Sequence, residues 1–242
     1  MSNRIYASAQ ASSTAGQNNK IMAGRESYYA IGKIIRSIYL YQFSSFLFTN
    51  ASATGNTGPL ISQLQTSYLS NFPNYTWHQS TYYFNTGSTS GIQLWMVPST
   101  GVYQIIAAGA SGGGATSSGG RGVIGITYVS LTQQNILAIL VGQQGYYGSA
   151  NGGTGPGGGG GSFVILTNAN IMANVILTNT GNLTPLLICG GGGGGSSSAA
   201  DASLTTTGKT DSSGTNTGGT SGSGGNSTGI STTIGAGSGG GY

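Results

Sequence analysis

Five side chains in this sequence could carry acid/base or metal chemistry near neutral pH: Glu26, His78, Cys189, Asp201 and Asp211. General acid/base catalysis needs two positioned ionisable groups, and no acid neighbours the single histidine along the chain. His78 sits in Tyr75-Thr76-Trp77-His78-Gln79 with no second imidazole to share a metal ion. It reads as a surface or half-buried polar residue beside aromatic rings. Cys189 closes the apolar run Pro185-Leu186-Leu187-Ile188-Cys189 and reads as a small buried hydrophobe. The residues therefore assign no catalytic, cofactor-binding or metal-binding position, and no cofactor.

Two motifs imitate chemistry. Gly109-Ala110-Ser111-Gly112-Gly113 matches the nucleophile-elbow pattern after an apolar segment. Such an elbow must lead into a helix, with an acid and then a histidine downstream; here small residues follow, and the histidine lies upstream. Gly225-Asn226-Ser227-Thr228-Gly229 repeats the pattern with neither partner after it. A glycine-rich segment after a strand also suggests dinucleotide binding, but the first acid downstream of Gly114 is Asp201, far beyond the ~20 residues a ribose contact allows. Gly208-Lys209-Thr210 resembles the end of a phosphate-binding loop, yet Ser203 stands where its first glycine belongs.

The elements that would have to position any site are short. From Ser37 onward, apolar segments are β-branched or aromatic and bounded by Gly, Asn, Ser or Pro, which is how strands read. Strands are expected at Ile38 to Phe48, Tyr82 to Asn85, Ile92 to Val97, Val102 to Ala108, Val123 to Val129, Ile136 to Val141, Ser162 to Thr167, Asn174 to Thr178 and Pro185 to Cys189. Together they suffice for an all-β sandwich of two sheets. Before them, Tyr28, Ile31, Ile34, Ile35 and Ile38 fall at helical spacing, so residues 27 to 37 form either a short amphipathic helix or a strand.

Charge divides the chain. Seven basic and three acidic residues are present in 242. Arg4, Lys20, Arg25, Lys33 and Arg36 precede residue 37, opposed by Glu26 alone, whereas Arg121, Lys209, Asp201 and Asp211 cancel in the remainder. Residues 1 to 42 thus read as a basic docking arm, its first 26 residues extended or disordered until bound, on a neutral body, 43 to 242, that charge repulsion does little to keep apart from its copies. The first residues lack the apolar core of a secretory signal, and no stretch nears the ~18 apolar residues of a membrane-spanning helix.

Glycine is the other signature. Of 47 glycines, 39 lie at or after Gly109, in bursts that alternate with strands. No Gly-X-Y period persists, which excludes collagen. The mixed Gly/Ser/Thr segment 196 to 233 reads in part as flexible linker. The pure runs, Gly157, Gly158, Gly159, Gly160, Gly161 and Gly190, Gly191, Gly192, Gly193, Gly194, Gly195, are each pinned by a strand at one end. Five or six glycines in polyproline II form extend ~15 to 19 Å, and rods without side chains can pack until their amides satisfy one another. The runs are therefore expected to form a packed polyglycine II bundle.

Several segments resemble, in order, the glycine-rich extracellular domain of anaplastic lymphoma kinase and leukocyte tyrosine kinase. These are Phe48-Thr49-Asn50-Ala51-Ser52-Ala53-Thr54-Gly55 with Thr57-Gly58-Pro59, then Gly91-Ile92-Gln93-Leu94-Trp95-Met96-Val97-Pro98, then Thr100-Gly101-Val102-Tyr103-Gln104-Ile105 running into Ala108-Gly109-Ala110. Ile139-Leu140-Val141-Gly142-Gln143-Gln144-Gly145 is the most specific match, and the polyglycine runs complete the series. The resemblance covers roughly 43 to 242. It implies a tumour-necrosis-factor-like, jelly-roll sandwich joined to polyglycine helices, and no catalysis. Where that family carries paired cysteines this chain has Ala51 and Leu64, which weakens any carry-over of receptor-ligand binding. Similar cysteine-poor domains occur in capsid-associated proteins of large DNA viruses.

That likeness implies a non-enzymatic structural virion protein, assembled in the host cytoplasm, present as a homo-oligomer and docked on other capsid or virion proteins through Arg4, Lys20, Arg25, Lys33 and Arg36. Nucleic acid is not an expected partner. The competing expectation is an adhesin whose Gly-rich loops, with Tyr146 and Tyr147, contact a host receptor or glycan.

Overall fold

The β-branched and aromatic segments do form strands, and the strands form two antiparallel sheets. The computed structural model describes residues 5–10, 40–55, 57–87, 90–114, 118–148, 155–169, 171–172, 175, 177, 183–195, 199–205, 216–217 and 226–227. One sheet holds β1 (Ile5–Gln10), β2 (Ser45–Phe48), β5 (Gly101–Ala108) and β6 (Ile124–Leu131) in the order β2-β1-β5-β6. The other holds β3 (Phe84–Thr86), β4 (Ile92–Met96), β7 (Ile136–Leu140), β8 (Ser162–Thr167) and β9 (Leu183–Cys189) in the order β3-β4-β7-β8-β9. Asn216–Thr217 (β10) and Asn226–Ser227 (β11) make a separate short pair.

The sheets share one core. Alternation turns Tyr103, Ile105 and Ala107 of β5 inward, where they meet Trp95, Leu137, Ile139, Val164 and Cys189 from the second sheet. Phe46 and Phe48 of β2 complete it, with Tyr68 and Trp77. The outer face of the second sheet is also apolar: Leu94, Met96, Ile136 and Ala138 pack with Leu40, Met172, Val175 and Leu177. This explains why β4 and β7 read as nearly unbroken apolar runs, since both faces of each are covered.

Several expectations need correction. Among the described residues of the segment expected at Ile38 to Phe48, strand pairing claims only Ser45–Phe48. Tyr41 and Phe43 instead lie outside any strand, stacking on Trp77 and tilting over Trp95. Val175 and Leu177 also lie outside any strand, so Asn174 to Thr178 is no strand at those positions. Ile5–Gln10, read as part of the arm, is a sheet strand registered against both β2 and β5. The helical or extended reading of 27 to 37 falls outside the described residues.

One helix went unread. Ile61–Asn71 (α1) carries Ile61, Leu64 and Tyr68 at helical spacing, with Leu64 and Tyr68 fully buried. The Leu60 amide donates to the Gln63 side chain at 2.8 Å, satisfying a donor at the helix start. Tyr68 Oη then joins helix to sheet: it meets Gln93 Oε1 at 2.5 Å and accepts the Thr49 amide at 2.9 Å. The loop leading into α1 crosses the one leading into β4 at Gly58 and Gly91, where either Cβ would strike the opposite backbone. Gly91 also sits at φ +90°, a conformation that glycine adopts without strain.

Candidate functional site

Five strand ends point to one end of the sandwich, and each continues into a glycine-rich segment. Segment 109–114 leaves β5, 118–123 enters β6, 142–146 leaves β7, 156–161 enters β8 and 190–195 leaves β9. The antiparallel order of the strands sets the direction of each segment. Ser162 clamps three of these junctions: its hydroxyl donates to Ala108 O at 2.7 Å and accepts the Gly142 amide at 2.9 Å. Cys189 Sγ donates to Ala107 O at 3.3 Å beside them.

Beyond the junctions the segments bond to one another rather than within themselves. Gly109 and Gly112 donate to Val123 and Gly120, both at 2.9 Å, while Ala110 and Gly113 donate to Gly160 and Gly157 at 2.9 and 2.8 Å. Gly157 and Gly160 donate onward to Tyr146 and Gln143, and Gly120 and Val123 to Gly193 and Gly190. Gly192 and Gly195 return to Ala110 and Gly113. In every case residues three apart serve the same neighbour.

Absence of side chains is a condition of this packing. A Cβ on Gly109 or Gly112 would overlap the carbonyl of Gly190 or Gly193, and one on Gly119 or Gly122 would overlap Gly112 or Gly109. Gly142 and Gly145 abut Gly160 and Gly157 in the same way. Between these glycines the segments also carry larger residues, among them Gln143, Gln144 and Arg121.

Sequence reading singled out the pure runs Gly157 to Gly161 and Gly190 to Gly195, and both lie within this network. It missed 118–123 and 142–146, which hold no run longer than two glycines but space glycines three residues apart. That spacing, in Gly119/Gly122 and Gly142/Gly145, was the available signal. It also missed a sixth segment, within the stretch read as low complexity: Gly193 donates to Ala200 at 2.9 Å and Ala202 to Arg121 at 2.8 Å. Asp201 there accepts the Arg121 amide at 2.7 Å and pairs with its guanidinium at 3.2 Å.

The remaining candidates are dispersed. His78 is wholly buried, not half-exposed, with its ring among Phe46, Tyr68 and Trp77. Gln79 Nε2 lies 2.7 Å from Nδ1, and Nε2 is buried without a hydrogen-bond partner. An amide donor at Nδ1 places the imidazole proton on Nε2. Burial lowers the His78 pKa, an effect that the nearby carbonyls of Phe72 and Tyr75 oppose in part. Burial likewise pushes the Cys189 thiol up, away from the reactive thiolate, with Gly125 opposing. Arg4, Lys20, Arg25, Lys33 and Arg36 lie outside the described residues, as do Glu26, Lys209 and Asp211. Among the described residues, no three of His, Cys, Asp and Glu stand together as a metal site, and no helix is long and apolar enough to cross a membrane. Ser111 of the elbow-like motif sits in the first glycine segment, where its carbonyl accepts the Gly145 amide.

With this geometry in place, comparison with known proteins adds one fact. No protein-family model matches this chain.

Proposed function

We propose that this chain is a non-enzymatic structural protein of a virion, a minor capsid or capsid-surface component of a large DNA virus. In this reading the sandwich is a tumour-necrosis-factor-like jelly roll, and the glycine segments are polyglycine II helices packed in a bundle. The arm, through Arg4, Lys20, Arg25, Lys33 and Arg36, docks the neutral body on other capsid proteins.

One observation carries the reading: the three-residue periodicity with which the glycine segments exchange hydrogen bonds. Strands and rods form one scaffold cross-linked by backbone amides, and such a scaffold supplies stiffness without ionisable groups. Glycine is an expensive way to build it, since each costs roughly 0.5 to 1 kcal/mol more to order than alanine. That expense is offset where no larger residue would let the backbones meet.

The test is particle incorporation. Immunogold labelling should find the chain on purified particles, and its absence from them sinks the virion role. Replacing all five arm cations by Glu, which spares β1, should abolish incorporation while the body stays folded. Normal incorporation refutes the docking role.

A second reading is favoured by one feature. Tyr146 and Tyr147 are largely exposed on the segment that leaves β7, with Gln144 Nε2 donating to Tyr147 Oη at 2.8 Å. An adhesin would use such rings against a sugar or protein face. Saturable binding of the purified protein to host cells, lost in a Tyr146→Ala, Tyr147→Ala double variant, would support it, and a flat binding curve removes it.

A further inference from the structure

Strand β6 faces the wrong way for its composition. Period-two alternation divides Ile124–Leu131 into Ile124, Ile126, Tyr128 and Ser130 on one side and Gly125, Thr127, Val129 and Leu131 on the other. The bulkier of these two sets is the one turned outward. Ile124, Ile126 and Tyr128 are 66%, 60% and 67% exposed, and Val102 on β5 is 50% exposed beside them. The register places Ile106 opposite Ile126, Val102 opposite Ser130 and, between them, Gln104 opposite Tyr128, whose hydroxyl accepts from the Gln104 side-chain amide at 2.6 Å, so these side chains form one uncharged, mostly apolar face across the β5–β6 ladder.

Packing holds this register. A Cβ at Gly125 would stand 2.9 Å from Leu187 Cδ1 and 3.0 Å from Cys189 Sγ, so a larger residue there would have to displace side chains of β9. Slipping β6 by one residue would drive an isoleucine into β9. The apolar face is thus fixed outward, where an antiparallel sheet beside solvent normally carries polar residues. Contiguous exposed apolar surface of a few hundred Å² ordinarily marks an interaction site. Nor is the edge guarded: β6 has no charge and no proline along its length, and no further strand neighbours it among the described residues.

We infer that the outer face of the β2-β1-β5-β6 sheet packs against the same face of a second copy of this chain, related by a two-fold axis. This names the surface through which the assembly proposed above forms, and it rests on that reading. Area and charge argue for the occupant. Strands of four, six, eight and eight residues, rising ~3.4 Å per residue and ~4.8 Å apart, cover roughly 420 Å². Side chains standing above that plane raise its accessible area toward the ~600 Å² per partner at which specific interfaces begin. Strands β5 and β6 carry no charged residue, which leaves a charged partner nothing to pair with on that ladder. The residues from Ser37 onward sum to zero charge, so two copies meet without repulsion. A two-fold interface requires self-complementarity, which two uncharged twisted sheets stacked ~10 Å apart satisfy.

Sedimentation of the full chain from about 1 to about 100 µM tests this. The wild type should form a dimer. Ile126→Lys places an unpaired charge in the exposed apolar row of β6 and should weaken association by about 100-fold or more. Tyr128→Ser tests the same face without a charge and should weaken it in the same direction. Both side chains point away from the core, so the near-ultraviolet dichroism of Trp77 and Trp95 should stay unchanged. A chain that remains monomeric over this range, or that associates indifferently to both substitutions, overturns the inference. Association through this face by a protein absent from particles would sink the virion role alone. Incorporation of a protein that is monomeric in solution, unaltered by Ile126→Lys, would sink this inference alone.

Discussion

At Gly112 a single methyl group decides whether two backbones can meet. Its Cβ would fall on the Gly193 carbonyl, so Gly112→Ala must push two segments apart, and overpacking of this kind costs about 1 to 3 kcal/mol. Gly101→Ala is the control, because nothing lies within 4 Å of a Cβ there; it should be neutral or stabilise slightly by restricting the unfolded chain. Urea unfolding of both variants checks the contrast, and equal effects would remove the packing argument. His78 makes a prediction in pH. Its folded pKa is depressed below the ~6.5 of an unfolded histidine, so the unfolded state takes up the proton first. Stability is then full above pH ~6.5 and falls as pH drops from there toward the lower folded value. Because His78 is the single histidine in the sequence, His78→Gln should flatten urea midpoints between pH 7.5 and 5.

At the scale of elements, the junction between strands and glycine segments depends on Ser162. Its hydroxyl serves the ends of β5 and β7 at once, and it is wholly buried. Ser162→Ala strands the Gly142 amide and should cost about 1 to 3 kcal/mol. Loss of amide-exchange protection should appear first at Gly142 and Gly109; uniform loss across both sheets would contradict the local role. Helix α1 is held by packing rather than by charge, having no acidic residue in its first turn and no basic one in its last. Leu64→Ala should therefore destabilise by about 2 to 5 kcal/mol, measurable by denaturant titration. The same lack of charge hid α1 from sequence reading. Its stripe of Ile61, Leu64 and Tyr68 is narrow, and Ser, Thr, Gln and Asn between them resemble the loops elsewhere in the chain.

For the whole molecule, the amides of the glycine segments should exchange as one cooperative set, because each segment bonds to several others. Hydrogen exchange should protect Gly159, Gly192 and Gly193 together in the intact protein; rapid independent exchange at these positions would mean that no scaffold exists. Sequence alone determined that the chain is built mostly of strands, since Ile, Val, Tyr and Phe in short runs between turn residues suit a pleated surface and little else. It also determined where most strands lie, Ser162–Thr167 to the residue, and that glycine runs adjoin them. It did not yield Ile5–Gln10, whose small and polar residues become a strand only because β2 and β5 supply pairing on both sides. Nor did it reveal which face of β6 is buried: Ile124 and Ile126 turn outward, and Gly125 turns toward Leu187 and Cys189 of β9. Local patterns report what one segment prefers. The outward face of β6 and the meeting of the glycine segments depend on stretches distant in sequence that share one space, and only the folded chain brings them there.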